Sequence, residues 1–135
     1  MATDFLDRSD AIEECYEFML AYAGQGVAEE GAQVRGFLER AAAALDGLAQ
    51  SCSDALTQAR PESLEQSRKF LAVIDRDAND SLAAVEMVLA QPVISSQLID
   101  NLNASIHLRA LLTDLFLIDE IFKLQRNSGN LASAR

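Results

Sequence analysis

Small and apolar residues recur in alternating steps of four and three along the middle of this chain, and this constrains its fold more than any other feature. One run spans residues 27–59 and a second spans residues 64–88, on either side of Pro61. This rhythm is typical of long helices packed lengthwise against other helices. The first run is Val27, Gly31, Val34, Leu38, Ala41, Leu45, Leu48, Cys52, Ala55 and Ala59, and the second is Leu64, Ser67, Leu71, Ile74, Ala78, Ser81, Val85 and Val88.

Length and composition favour a single all-α domain. The chain has 135 residues, of which half are apolar, but it holds only 6 Phe and 2 Tyr and no Trp. A chain of this length can bury a core without disulfides or metal, and Leu, Ile, Val and Ala suit interdigitated helices better than a sandwich.

Glycine and proline divide the chain into four predicted helices. Gly24-Gln25-Gly26 predicts a turn, and Pro61 and Pro92 predict two breaks, because proline disfavours helical geometry in the preceding residue. We therefore predict a mostly antiparallel, up-down-up-down four-helix bundle over residues 1–127. Its helices are expected at about 4–23, 27–60, 62–90 and 94–126, and a flexible C-terminal tail is expected at 128–135.

The charge of the chain is strongly negative and uneven. The net charge is -10, and residues 1–30 contain eight acidic residues and a single base, Arg8. Binding to nucleic acid or to anionic lipid depends on cationic side chains, so neither is predicted as a partner. The N-terminus has no cationic start followed by an apolar segment, and no apolar stretch is long enough to span a membrane. We therefore expect a cytoplasmic protein.

Four carboxylates fall on one face of the first predicted helix, roughly opposite its apolar side: Asp7, Asp10, Glu14 and Glu17. The plain interpretation is a solvated face whose first acids also favour the helix dipole. The functional hypothesis is a surface for a basic protein partner or for a divalent cation. A calcium-binding loop is excluded, because these residues lie along a helix rather than in a loop with a central glycine.

The chain lacks the residue sets of the common catalytic and cofactor sites. It has a single histidine, His107, and two cysteines, Cys15 and Cys52, that are too far apart in sequence to form a zinc or redox motif. No Glu-x-x-His motif of a carboxylate-bridged di-iron bundle occurs. We predict no enzyme activity, no metal and no cofactor, with both cysteines reduced and half-buried. A cofactor-binding bundle, with haem between His107 and Met19 or Met87, is a further alternative.

His107 supports an alternative function. A histidine exposed on a helical bundle suits phosphoryl transfer, so a histidine phosphotransfer or signalling module is the second hypothesis. The plain interpretation is a structural or solvent-facing histidine near Asp114, two turns further along the same predicted helix.

The fourth predicted helix carries two apolar stripes, which indicates contacts in two directions. Either this helix is central within one molecule, or the second stripe binds a protein partner or a second copy. Asp119 falls within the first stripe, where it either meets a base from another helix or turns to solvent. The first stripe is Ile94, Leu98, Leu108, Leu112, Leu115, Phe116 and Phe122, and the second is Ile99, Ile106, Leu117, Ile121 and Leu124.

Together these features predict a non-enzymatic cytoplasmic interaction protein, such as an adaptor, an assembly factor or a small chaperone-like subunit. The second stripe of the fourth helix would dock on the partner, and the acidic face of the first helix would steer a basic one.

Overall fold

The computed structural model describes residues 2–25 and 31–133, and all the regular secondary structure within these ranges is helical. The all-α prediction is therefore confirmed. The four-helix bundle is not confirmed, because the described residues form six α-helices and one short 3₁₀ helix, Pro61–Ser63. The α-helices are α1 (Ala2–Gln25), α2 (Gly31–Leu45), α3 (Leu48–Ala59), α4 (Leu64–Leu89), α5 (Ser96–Ala104) and α6 (His107–Ser133).

The helix predicted over 27–60 is interrupted after Leu45. Gly47 has a φ of +79°, in the left-handed region that glycine adopts without Cβ strain, and it separates α2 from α3. The four-three rhythm continues from Leu45 to Leu48 across this break, so the apolar pattern alone predicted a single helix. The predicted start at Val27 lies outside the described residues.

Arginine side chains satisfy the carbonyl groups at two helix ends. The last carbonyls of a helix have no partner within it. Arg35, near the start of α2, donates hydrogen bonds of 2.9 and 2.8 Å to the carbonyl oxygens of Leu89, the last residue of α4, and of Gln91 just after it. Arg8 of α1 donates through Nη1, at 3.3, 3.0 and 2.6 Å, to the carbonyl oxygens of Ala43, Ala44 and Asp46 at the end of α2.

The helix predicted over 94–126 is also interrupted. Ser95 caps α5, because its Oγ accepts a hydrogen bond of 3.1 Å from the Leu98 N–H. The helix then ends at Ala104, and Ile106 has a φ of +63°, which is rare for a β-branched residue. Neither glycine nor proline occurs at this junction, so the sequence contained no usual signal for the break.

The C-terminal ends of the first and last helices also differ from the prediction. Helix α1 extends to Gln25, two residues beyond the predicted end, and residues 26–30 lie outside the description. The last helix does not end at the predicted residue 126, because α6 continues to Ser133. Most of the predicted tail is therefore helical, and residues 134–135 lie outside the described part of the chain.

Contacts between helix ends show which neighbours run antiparallel. The rings of Phe5 and Phe122 lie 6.0 Å apart, and Tyr22 contacts Ile94, so α1 runs opposite to α5 and α6. Arg8 at the start of α1 reaches the end of α2, so these two helices are also antiparallel. The bond from Arg35 to Leu89 shows the same relation between α2 and α4.

All six helices contribute to one buried apolar core. From α2 onward the core follows the predicted rhythm closely, although Ala59 is exposed and Leu64, Ser67 and Leu71 are only partly buried. In α1, Cys15 and Tyr22 are fully buried whereas Tyr16 is half-buried. The fully buried large side chains include Ile12, Met19, Tyr22, Leu38, Leu45, Leu48, Leu56, Ile74, Ile99, Leu111 and Ile118.

Candidate functional site

Helix α6 presents an exposed apolar face. Leu117 is 51 % exposed and Leu124 is 59 % exposed, one heptad apart on the same side of the helix. Ile121 lies between them and is half-buried against the core. We call Leu117, Ile121 and Leu124 the α6 leucine face. Large apolar side chains grouped in this way are typical of protein contacts rather than of a solvated surface.

The other two residues predicted on the second stripe do not join this face as one continuous helix would require. Ile99 is fully buried within α5 and belongs to the core. Ile106 is exposed, but it lies in the junction between the two helices. The break between α5 and α6 changes the angular position of the side chains around the helix axis. The second stripe was predicted on the assumption of one continuous helix, so it combined core residues with surface residues.

The four predicted carboxylates of α1 are all exposed, as an amphipathic helix requires: Asp7, Asp10, Glu14 and Glu17. They follow one another in steps of three and four along the helix surface. Within the part of the chain that the structure describes, no group of three or more His, Cys, Asp or Glu side chains could hold a metal ion. The acidic face is thus an extended negative surface along α1.

A groove between α1 and α6 brings apolar and acidic residues together. It has a volume of about 370 Å³. Leu6 on α1 and Phe116 on α6 line it and are 46 % and 56 % exposed. The full lining is Phe5, Leu6, Ser9, Asp10, Glu13, Leu112, Leu115, Phe116 and Asp119. We call it the α1–α6 groove.

The sequence analysis missed this groove, and two signals could have indicated it. Leu6 interrupts the polar side of the first helix, away from Phe5 and Ile12. Phe116 adjoins Leu115 and Leu117, so three successive apolar residues of a helix could not all face one core. Neither signal showed that the two residues would line the same groove.

A second, mostly apolar pocket of about 270 Å³ adjoins the groove and shares Phe5, Leu6 and Asp119 with it. Helices α3 and α6 close it with Ala55, Gln58, Ala59 and Phe122. Asp119 is half-exposed, and its Oδ2 lies 3.3 Å from the Lys123 Nζ on the same helix. Of the two predicted alternatives for Asp119, the structure therefore shows the one that reaches solvent.

A carboxyl pair lies between α4 and α6. Burial, together with a hydrogen bond to Asp77 and the negative charge of Asp77, raises the pKa of Asp114 to about 7. The Oδ2 atom of Asp114 is buried and has no hydrogen-bond partner among the described residues. Asp114 of α6 therefore pairs with Asp77 of α4. The sequence did not reveal this pair, because its members lie in different helices.

Neither cysteine has the environment of a nucleophile. Cys15 and Cys52 are free, and both are fully buried rather than half-buried as predicted. Burial raises the pKa of each thiol to about 12, so the reactive thiolate is scarce near neutral pH. Both side chains act here as small apolar groups of the core.

The residues proposed for the two alternative functions, phosphoryl transfer and cofactor binding, differ in how far they are exposed to solvent. His107 is exposed at the first position of α6. Of the two candidate methionine ligands, Met19 is fully buried in the core whereas Met87 is exposed. An accessible imidazole is compatible with phosphoryl transfer.

The length and apolar character of the helices, and comparisons with known proteins, complete this description. In the described ranges, no helix combines the length and the apolar character needed to cross a membrane. Comparison with protein families, with curated proteins and with solved structures gives no match.

Proposed function

We propose that this chain is a non-enzymatic cytoplasmic interaction protein, an adaptor, assembly factor or small chaperone-like subunit that acts through its helix surfaces. The observation that carries this proposal is the α6 leucine face, where Leu117 and Leu124 stand exposed one heptad apart. The six helices would form the four antiparallel segments of a helical bundle. In it α2 and α3 together make one interrupted segment, and α5 and α6 make another.

A second copy of the chain is the occupant that we propose for the α6 leucine face. The surface beside this face carries both signs of charge, with Glu120 and Lys123 exposed. When two copies of α6 pack antiparallel with Leu117 opposite Leu124, Glu120 of one copy lies near Lys123 of the other. The face is thus complementary to itself, as a two-fold interface requires.

The acidic face of α1 does not suit a two-fold contact. Asp7, Asp10, Glu14 and Glu17 would meet like charges across the symmetry axis, and such contacts are repulsive. Self-association is therefore assigned to α6, and α1 remains available for a basic partner.

Size-exclusion chromatography with light scattering over a concentration series tests the dimer. Leu117→Glu and Leu124→Glu should each convert a native dimer into a folded monomer. Leu20→Glu is the matched control, since Leu20 is also 51 % exposed but lies on α1. Circular dichroism confirms folding of each variant. A native chain that stays monomeric at all concentrations contradicts this part of the proposal.

The exposure of His107 favours phosphoryl transfer as the second candidate function. Acetyl phosphate is the probe, and an acid-labile phosphoramidate on His107, detected by mass spectrometry and lost in His107→Gln, is the result that this alternative predicts. Visible absorption and metal analysis of the purified protein test the cofactor-binding alternative in the same preparation.

A further inference from the structure

We propose that the α1–α6 groove binds an amphipathic helix of a partner protein whose apolar side chains are flanked by Lys or Arg. This inference rests on the proposed interaction role and names the partner chemistry, but it uses a surface distinct from the α6 leucine face. The two can therefore fail independently.

The floor of the groove offers contacts for apolar side chains. Leu6 and Phe116 are roughly half exposed and line the same groove, above the buried Phe5, Leu112 and Leu115. Burial of these two exposed side chains against a partner would remove a large apolar area from water. The adjoining pocket of about 270 Å³, with Phe122 and Ala55 in its walls, extends the apolar contact toward α3.

The length of this surface fits a helical occupant. The lining residues on α6 run from Leu112 in the groove to Phe122 in the adjoining pocket. At about 1.5 Å per residue, this distance is about 15 Å, or nearly three helical turns. A docked helix of this length presents apolar side chains at positions i, i+3, i+4 and i+7 on one side.

The charge around the groove selects a basic partner. Asp10 and Glu13 line the groove on α1. Asp119 lines it on α6, but its charge is already balanced by Lys123, whose Nζ lies 3.3 Å from the Asp119 Oδ2. Arg8 of α1 already donates hydrogen bonds to Asp4 and to carbonyl groups at the end of α2. Cationic side chains beside the apolar residues of the partner would therefore meet the carboxylates of Asp10 and Glu13.

Fluorescence anisotropy with a synthetic peptide tests this proposal. The probe is a labelled peptide of about 18 residues, with Leu and Phe on one helical face and Lys elsewhere. Its control is a peptide of the same composition, reordered so that no apolar face forms. The amphipathic peptide should bind at least about tenfold more tightly than the control at about 150 mM salt.

Matched variants locate the peptide on the protein. Leu6→Ala with Phe116→Ala should weaken binding about tenfold or more, because both contacts lie in the groove. Asp10→Asn with Glu13→Gln should weaken it more than Asp75→Asn with Asp80→Asn. The second pair changes the net charge equally but lies exposed on α4.

Three outcomes overturn the proposal: equal binding of the two peptides, equal loss from both charge variants, or unchanged binding in the Leu6 and Phe116 variant. The Leu124→Glu variant separates the two surfaces. It should bind the amphipathic peptide normally, whatever its oligomeric state, so failure of the dimer and failure of the groove give different results.

Discussion

The hydroxyl of Tyr22 donates a buried hydrogen bond of 2.9 Å to the carbonyl oxygen of Ile94. The Tyr22 side chain is fully buried, and Ile94 lies between Pro92 and the start of α5. This carbonyl precedes the helix, and a buried backbone oxygen needs a donor. The bond therefore holds the entry to α5 against the end of α1.

Removal of this hydroxyl should destabilise the fold. Tyr22→Phe leaves the Ile94 carbonyl without its donor, and we expect the free energy of unfolding to fall by about 1–2 kcal/mol. Urea denaturation followed by circular dichroism measures the change. Tyr16→Phe on the same helix is the control, since Tyr16 is only half-buried. Equal losses in the two variants would show that the hydrogen bond is not responsible.

Substitution of two glycines in the α2–α3 region by alanine should change the free energy of unfolding in opposite directions. Gly47 has a left-handed φ, so Gly47→Ala should lower the free energy of unfolding by about 1 kcal/mol. Gly36 lies within α2, and Gly36→Ala should raise it by about 0.5–1 kcal/mol. An added Cβ meets no atom within 4 Å at either position, so backbone conformation alone sets the sign. Thermal or urea unfolding measures both, and a stabilising Gly47→Ala would contradict the left-handed junction.

The α5–α6 junction should gain stability from a residue that tolerates its conformation. Ile106 has a φ of +63° and an exposed side chain, so Ile106→Asn relieves strain with little loss of packing. We expect the free energy of unfolding to rise by about 0.5–1 kcal/mol. Ile106→Val keeps the β-branched side chain, so it should not raise the free energy of unfolding. Equal gains in a urea titration would mean that removal of exposed apolar area, rather than backbone strain, explains the effect.

The carboxyl pair predicts a specific pH dependence. The pKa of Asp114 is about 7 in the folded chain, above its ordinary value of 3.8, so the folded state holds a proton that the unfolded state releases between these values. The stability from this proton is complete below about pH 4 and is lost as the pH rises through 7. Asp114→Asn should therefore exceed the native chain in stability at pH 8.

We expect this difference to be about 1 kcal/mol at pH 8, because partial access to solvent screens the repulsion from Asp77. It should be smaller at pH 5, where the Asp114 carboxyl of the folded chain is protonated. Urea unfolding at both pH values measures it. Asp75→Asn, at an exposed position of α4, controls for the change in net charge. A gain for Asp114→Asn that is the same at both pH values would refute the role of titration.

Particular residues show how far the sequence predicted this fold. The four-three rhythm placed Val34, Leu38, Ala41, Ile74, Ala78 and Val85 in the core, because helical period and burial are linked along one helix. The same rhythm concealed the break at Gly47, since both segments keep the same apolar phase across it. At Ile106 the pattern failed differently, because the break shifted the phase and moved Ile99 into the core.

The candidate surfaces were predictable only in part. The exposure of Asp7, Asp10, Glu14 and Glu17 followed from their position opposite the apolar side of α1. The α1–α6 groove was not predictable, because Leu6 and Phe116 are separated by most of the chain and line the same groove only after helix packing. The pairing of Asp77 with Asp114 has the same origin.

The sequence by itself determined the helical class, the buried seam and the acidic face of α1, because each depends on the spacing of residues within one helix. The tertiary structure decided where two helices break, which end carbonyls Arg8 and Arg35 satisfy, and which carboxyls meet across α4 and α6. These features depend on distances between helices. Such distances are set by packing of the whole chain, which no local spacing encodes.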